Sequence, residues 1–224
     1  MAAKFTSYLA VTLVCLGVSC ASADDFAERC SALARQVKVS VAFQDLPVVT
    51  DESRNVQALN GLSGKRAGGH HNVYGLTHAN PYFRLSVVPR TVMDSHGQIC
   101  AMPDISLSLG FSEIVVYLAR ELTDQCRRNV VREHEQEHVN TWKAHLRASA
   151  QLLTTILRRE VGEPRTYASR GEAEAGVRVW ADELVTPWAK RILATVSDAQ
   201  QAIDTPASYA AVVSRLRGCP PVAH

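Results

Sequence analysis

Apolar residues alternate with polar ones at three places in the front half of the chain: Val37, Val39, Val41 and Phe43; Phe83, Leu85 and Val87; Ile105, Leu107 and Leu109. A period of two turns one face of a strand to a core and the other to solvent, so each stretch is predicted to be a strand. Residues 114–118 are apolar on both parities, the mark of a more deeply covered strand, and the spacing pairs them with 105–109 across Gly110-Phe111-Ser112. Residues 61–69, rich in Gly, Ser, Lys and Arg, read as a mobile loop that ends in a solvated pair, His70-His71. After Thr123 the period becomes helical. Val131, His134, His138, Trp142, His145, Ser149, Leu153 and Ile156 share one stripe with no Gly or Pro before Gly162 and Pro164, which predicts one helix over about 123–161. Ser169, with Glu172 three residues on, forms a capping box that opens a second long helix to about residue 202, with a kink expected at Pro187. Asp204-Thr205-Pro206 caps a last short helix through Leu216. The predicted class is α+β: a small antiparallel sheet, then a long helix in an antiparallel helical hairpin, in a single domain over 24–224.

The start of the chain follows a different pattern. A short n-region, MAAK, precedes an apolar run over residues 5–18 and then Ala21-Ser22-Ala23, the order of a cleaved secretory signal, so 1–23 is expected to be a signal peptide. The run is short for a bilayer and no second hydrophobic stretch follows, so no membrane span is expected after cleavage. Cys20 raises a lipoprotein alternative, but Gly17-Val18-Ser19 lacks the leucine usual three positions upstream. A secreted or periplasmic location is expected.

Cleavage leaves Cys30, Cys100, Cys126 and Cys219, an even set bound for an oxidising compartment, and two disulfides follow. Of the three connectivities, Cys100–Cys126 closing a local unit and Cys30–Cys219 tying the ends is the favoured one. The formal charge of +2 is nearly balanced and no basic cluster stands out, which sets nucleic-acid binding aside.

Chemistry enters with Arg132-Glu133-His134-Glu135-Gln136-Glu137-His138-Val139, an H-E-x-x-H pattern inside the first predicted helix. Four residues turn a helix about 400°, so His134 and His138 point the same way one turn apart and suit one Zn²⁺. Glu135 is rotated about 100° from His134, outside the ligand set but within reach of a water on the metal, which makes it the expected catalytic base. Two neighbouring imidazoles on a stripe flanked by Val131 and Trp142 would be costly to bury without a shared partner. Glu133 and Glu137 are read as solvated, or as partners of the histidines.

The stretch from Ile105 through Glu113-Ile114-Val115-Val116-Tyr117, Cys126 and the histidine motif resembles a family of bacterial secreted HExxH proteins regarded as zinc-dependent proteases of unknown function. The resemblance covers about 105–145 and, more loosely, Ile203-Asp204-Thr205-Pro206 with Tyr209. It implies a zincin-like fold and an envelope location, and it supplies no substrate.

Catalytic zinc takes three protein ligands and keeps one position open. His145 lies seven residues and about 10.5 Å along a continuous helix from His138, too far to share the metal. It reads as a substrate-side or core histidine. Glu172 and Glu174, on an antiparallel partner helix turning near residue 165, fall some 30 Å from the histidines. The same arithmetic sets 192–196 opposite His134 and His138, which makes Asp198 the expected third ligand, with Asp204 in reserve and His78 as a further candidate.

Two functions compete at this point. The first is an exported zinc metallopeptidase acting on a peptide or protein laid along a sheet edge near 113–118. The second is a non-catalytic exported metal-binding or partner-binding protein with a structural His134/His138 site. An acid third ligand and an open cleft at Glu135 favour the first; a closed four-ligand site or the lack of a cleft favours the second.

Overall fold

One strand of twenty residues carries the sheet. The structure, a computed structural model, describes residues 21–64 and 72–221; the expected signal sequence up to residue 20 and the pair His70-His71 lie outside them. In chain order the elements are α1 (Ala21–Gln36), β1 (Val39–Gln44), β2 (Val49–Asp51), α2 (Val56–Leu62), β3 (Gly75–Met93), β4 (Ile99–Leu118), α3 (Gln125–Glu160), β5 (Arg165–Tyr167), α4 (Arg170–Gln201) and α5 (Pro206–Arg217). No helix among the described residues is long and apolar enough to cross a membrane.

β3 pairs antiparallel with β4 from end to end, while β5, β1 and β2 follow one another along β4's other side. β1 and β2 run parallel to β4, so the sheet is mixed and not antiparallel as expected. The parallel pairing is available because α2 and the whole of β3 intervene before β4, a connection long enough to bring the chain back in the same direction.

The expected turn at Gly110-Phe111-Ser112 is absent, and 105–109 and 114–118 belong to one continuous strand. The register explains the misreading. Ala79 faces Ile114 but Pro81 faces Phe111, so β4 carries one extra residue there, a β-bulge. The bulge exposes Ser112 and Glu113 and switches the parity that meets the helices. Leu107 and Leu109 pack with Leu153 and Leu157 of α3. Ile114, Val116 and Leu118 pack with Val131, Val139 and Leu146 of the same helix. The true hairpin turn is Asp94-Ser95-His96-Gly97-Gln98, where Asp94 Oδ1 accepts from the amides of His96 and Gln98, each at 2.8 Å, and Gly97 takes φ +86°.

The helices follow the sequence more closely. Asp124 caps α3 by accepting from the Arg127 amide at 2.8 Å, and Ser169 caps α4. Glu172 Oε2 takes the Ala168 amide at 3.1 Å, closing the capping box one residue earlier than the standard pattern. α4 continues through Pro187 to Gln201. Gly61 and Leu62, expected in the loop, form the last turn of α2, which Asn55 caps.

The disulfides differ from the expected pairs: Cys30 joins Cys100, and Cys126 joins Cys219. Cys100 lies at the start of β4 and Cys126 beyond its other end, and a strand of that length spans on the order of 60 Å if straight. A local bridge between them is therefore out of reach. α1 lies against the start of β4, and α5 returns the chain to the first turn of α3, so each cysteine finds its partner across the fold.

Proteolysis under non-reducing conditions should release linked peptides containing Cys30 with Cys100 and Cys126 with Cys219. A Cys100–Cys126 peptide in the mass spectrum would overturn this topology.

Candidate metal centre

α3 places the motif. Val131, Glu135, His138, Val139, Trp142 and Leu146 are buried along it, so the helical period that makes the core contact also turns the motif inward. The His134 and His138 rings lie edge to face with centroids 5.0 Å apart. His138 is 3 % exposed, and burial holds its charged form down against the opposing pull of Asp204, so its pKa is below the ordinary histidine value. A neutral imidazole is the form that ligates a metal.

The acid that joins them is Asp204. Its Oδ1 lies 3.3 Å from His138 Nε2 and 3.6 Å from His134 Nε2. Asp204 sits in the junction between α4 and α5: its amide donates to Gln200 O at 3.2 Å, and the next residue, Thr205, caps α5. Tyr209, one turn into α5, donates its hydroxyl to the same Oδ1 at 2.8 Å and sets its ring 5.8 Å from that of His134. Burial and the Asp204 charge push the phenol's pKa well up, which keeps it a donor.

Asp198 is exposed on α4 and is not grouped with the histidines. The register of the helix pair gives the reason. His145 Nε2 bonds Thr195 Oγ1 at 2.9 Å, so residue 195 stands opposite 145, and stepping seven residues each way puts 202 opposite His138. The first turns of α4 do not lie on α3: Ala173 and Val177 pack instead with Ile99, Ala101 and Tyr167 at the β5 end of the sheet. That displacement moves the partner of the histidines from Asp198 on to Asp204. His145 is thereby an interhelix bond, Glu172 a cap, and His78 is exposed on β3. Glu133 pairs with Arg215 at the surface, and Glu137 is exposed.

Glu135 is 5 % exposed and lies against the start of β3. Thr77 donates its hydroxyl to Glu135 Oε2 at 2.8 Å and also reaches Glu135 O at 3.1 Å. Gly75 makes room: a Cβ there would stand 2.5 Å from both Glu135 Oε1 and Val131 Cγ1. Gly75 and Thr77 are the residues the sequence reading missed, although it singled out their segment for His78. The apolar alternation marked β3 only from Phe83 onward, so nothing in the pattern pointed to them.

The donor set suits a small divalent ion. Four ligands at about 2.1 Å around a tetrahedral zinc stand about 3.4 Å from one another, close to the spacings found here. A charge-assisted hydrogen bond would be shorter, at about 2.7–2.9 Å. Three such donors on one ion would leave a fourth position open, as catalytic zinc sites do. The other grouping of ligand-type side chains among the described residues, Asp124 with Cys126 and Cys219, has both sulfurs committed to a disulfide. Residues 115–117 of β4 are paired on both sides, by β2 and β3, so the edge expected there does not exist. Compared with protein-family models, with curated proteins and with solved structures, the chain matches none.

Proposed function

We propose that the protein is an exported zinc-dependent peptidase of zincin-like design. The observation that carries the reading is the convergence of His134 Nε2, His138 Nε2 and Asp204 Oδ1 at ligand spacing, with Glu135 on the same helix beside them. Zinc held by these atoms would supply positive charge that polarises a carbonyl and brings the pKa of a bound water to about 7. Glu135 would take the proton of that water as it attacks and pass it to the leaving amine. Thr77 fixes one carboxylate oxygen, so the carboxyl group is oriented before substrate arrives. Asp204, held by Tyr209, keeps the anionic ligand turned to the histidines. An extended peptide has a place to lie along residues 75–79 of β3, whose second side pairs with no strand among the described residues. Two disulfides fit an oxidising compartment and hence export.

A second reading, a non-catalytic metal-binding protein, draws on the deep burial of Glu135. Glu135→Gln separates the two.

Purified protein should hold one zinc per chain, and His134→Ala, His138→Ala or Asp204→Ala should reduce it well below one, since two remaining ligands chelate poorly. Asp198→Ala and Glu172→Ala should keep it, the latter at a cost of about 1 kcal/mol for the lost cap. Metal analysis by mass spectrometry decides; full zinc in Asp204→Ala would remove the third ligand from the assignment.

Glu135→Gln should keep zinc and lose peptide hydrolysis by several orders of magnitude, because only proton transfer is removed. Casein and peptide-library assays with zinc restored provide the measurement, and an active variant would rule Glu135 out as the base.

A further inference from the structure

Tyr209 reaches His134 from α5, and Asp204 lies two residues before that helix, so both depend on an element that has little of its own to hold it down. α5 contains no buried residue. Ile203 just before it, at 8 % exposure, and the half-buried Leu216 in its last turn provide apolar contact. The Arg215–Glu133 ion pair joins side chains 51 % and 61 % exposed, and pairs of that kind contribute little. The firm attachment is covalent: Cys219, just past the end of α5, is bonded to Cys126 in the first turn of α3.

The lengths on the two helices match. Tyr209 to Cys219 is ten residues, about 15 Å of helix, and His134 to Cys126 is eight, about 12 Å. α5 therefore runs back along the first turns of α3, touching it at the metal ligands at one end and at the bridge at the other. Arg127 Nη1 adds a hydrogen bond to Pro220 O at 3.1 Å beside the bridge. The other disulfide, Cys30–Cys100, ties α1 to the far end of β4 and touches no element that carries a ligand.

Resting on the metal-site reading above, we infer that the Cys126–Cys219 bridge is the positioning element of the centre: it holds Asp204 and Tyr209 in place, so metal affinity depends on the bridge being oxidised. Reduction by a dithiol transfers two electrons and two protons to the bridge, giving two thiols while the dithiol becomes a disulfide. α5 is then left with non-covalent attachments alone: the exposed Arg215–Glu133 pair, the Leu216 contact, the Arg127–Pro220 hydrogen bond and Tyr209 against His134. Cys126 is exposed where Cys30 is half-buried, and Cys219 at 6 % is less closed than the fully buried Cys100, so the site's bridge is the one a reductant meets first. In a reducing compartment the chain would carry two histidines without their acid, and the centre would assemble only after export.

The test compares two double variants, Cys126→Ser/Cys219→Ser and Cys30→Ser/Cys100→Ser. Their bridges span 93 and 70 residues, so loop-closure entropy predicts similar losses of thermal stability. Only the first should weaken zinc binding, by at least about tenfold in competition with a chromogenic chelator. In zinc-free protein, amide hydrogen exchange over 203–218 should rise in the first variant while 125–160 stays protected. Equal zinc affinity in the two variants, or unchanged exchange over 203–218, would overturn the inference. Should the first variant fail to fold, the wild-type protein gives the answer by reciprocity: saturating zinc should slow reduction of Cys126–Cys219 and not of Cys30–Cys100. Equal slowing of both would overturn the inference. Bridge-dependent exchange in a wild-type chain that binds no zinc would support the clamp and refute the metal reading.

Discussion

The candidate centre depends on α3 remaining helical without interruption for 36 residues. Such a helix is about 54 Å long, enough to cover both halves of β4, with Leu153 and Leu157 on Leu107 and Leu109, and Val131, Val139 and Leu146 on Ile114, Val116 and Leu118. His138 is four residues before Trp142, and Trp142 four before Leu146, so packing the one buries the others. The sheet thus forces an imidazole into the interior. A buried polar ring with no partner costs on the order of 1–3 kcal/mol, and the carboxylate of Asp204 is the partner that the fold brings to it. Site and core are built by the same helical stripe.

Much of this was legible. The starts of α4 and α5 were legible because Ser169 and Thr205 do local chemistry, each accepting the amide three residues ahead, and α3 because its stripe runs unbroken to Gly162; none of this needs tertiary knowledge. The placing of His134, Glu135 and His138 on one helix was legible for the same reason, since a four-residue spacing acts within one helix. Strand boundaries were not. A single extra residue at 112–113 imitates a turn by reversing the parity of burial, whereas the real turn at Asp94–Gly97 lies outside the apolar runs that attracted the reading. α2 has seven residues, too few to show a period, although Asn55 was an available cap.

What stayed hidden was tertiary register. Cysteine parity follows from composition, but pairing depends on how far apart β4 holds its ends. The choice between Asp198 and Asp204 depended on where α4 first meets α3, and its opening turns are drawn away by Ile99, Ala101 and Tyr167. A displacement of about three helical turns is invisible to spacing along the chain. It is fixed by apolar contacts that lie at the opposite end of α4 from the acid they position.

The junction between α4 and α5 has a physical advantage as the seat of the acid that meets the histidines. A carboxylate in the middle of α4 would be carried by the register of two long helices, in which a slip of one residue rotates a side chain by about 100°. Asp204 instead follows the buried Ile203 and precedes the Thr205 cap, so its backbone is fixed from both sides, and Tyr209 fixes the carboxylate itself. Exposure is graded across the group: His138 and Glu135 are nearly closed to solvent, while the Asp204 side chain is 32 % exposed and Tyr209 40 %. Solvent therefore reaches the donors from the α5 side. The helix that follows the acid and carries Tyr209 is also the wall beside which anything approaching the donors must pass, so its placement governs the donor geometry and access together.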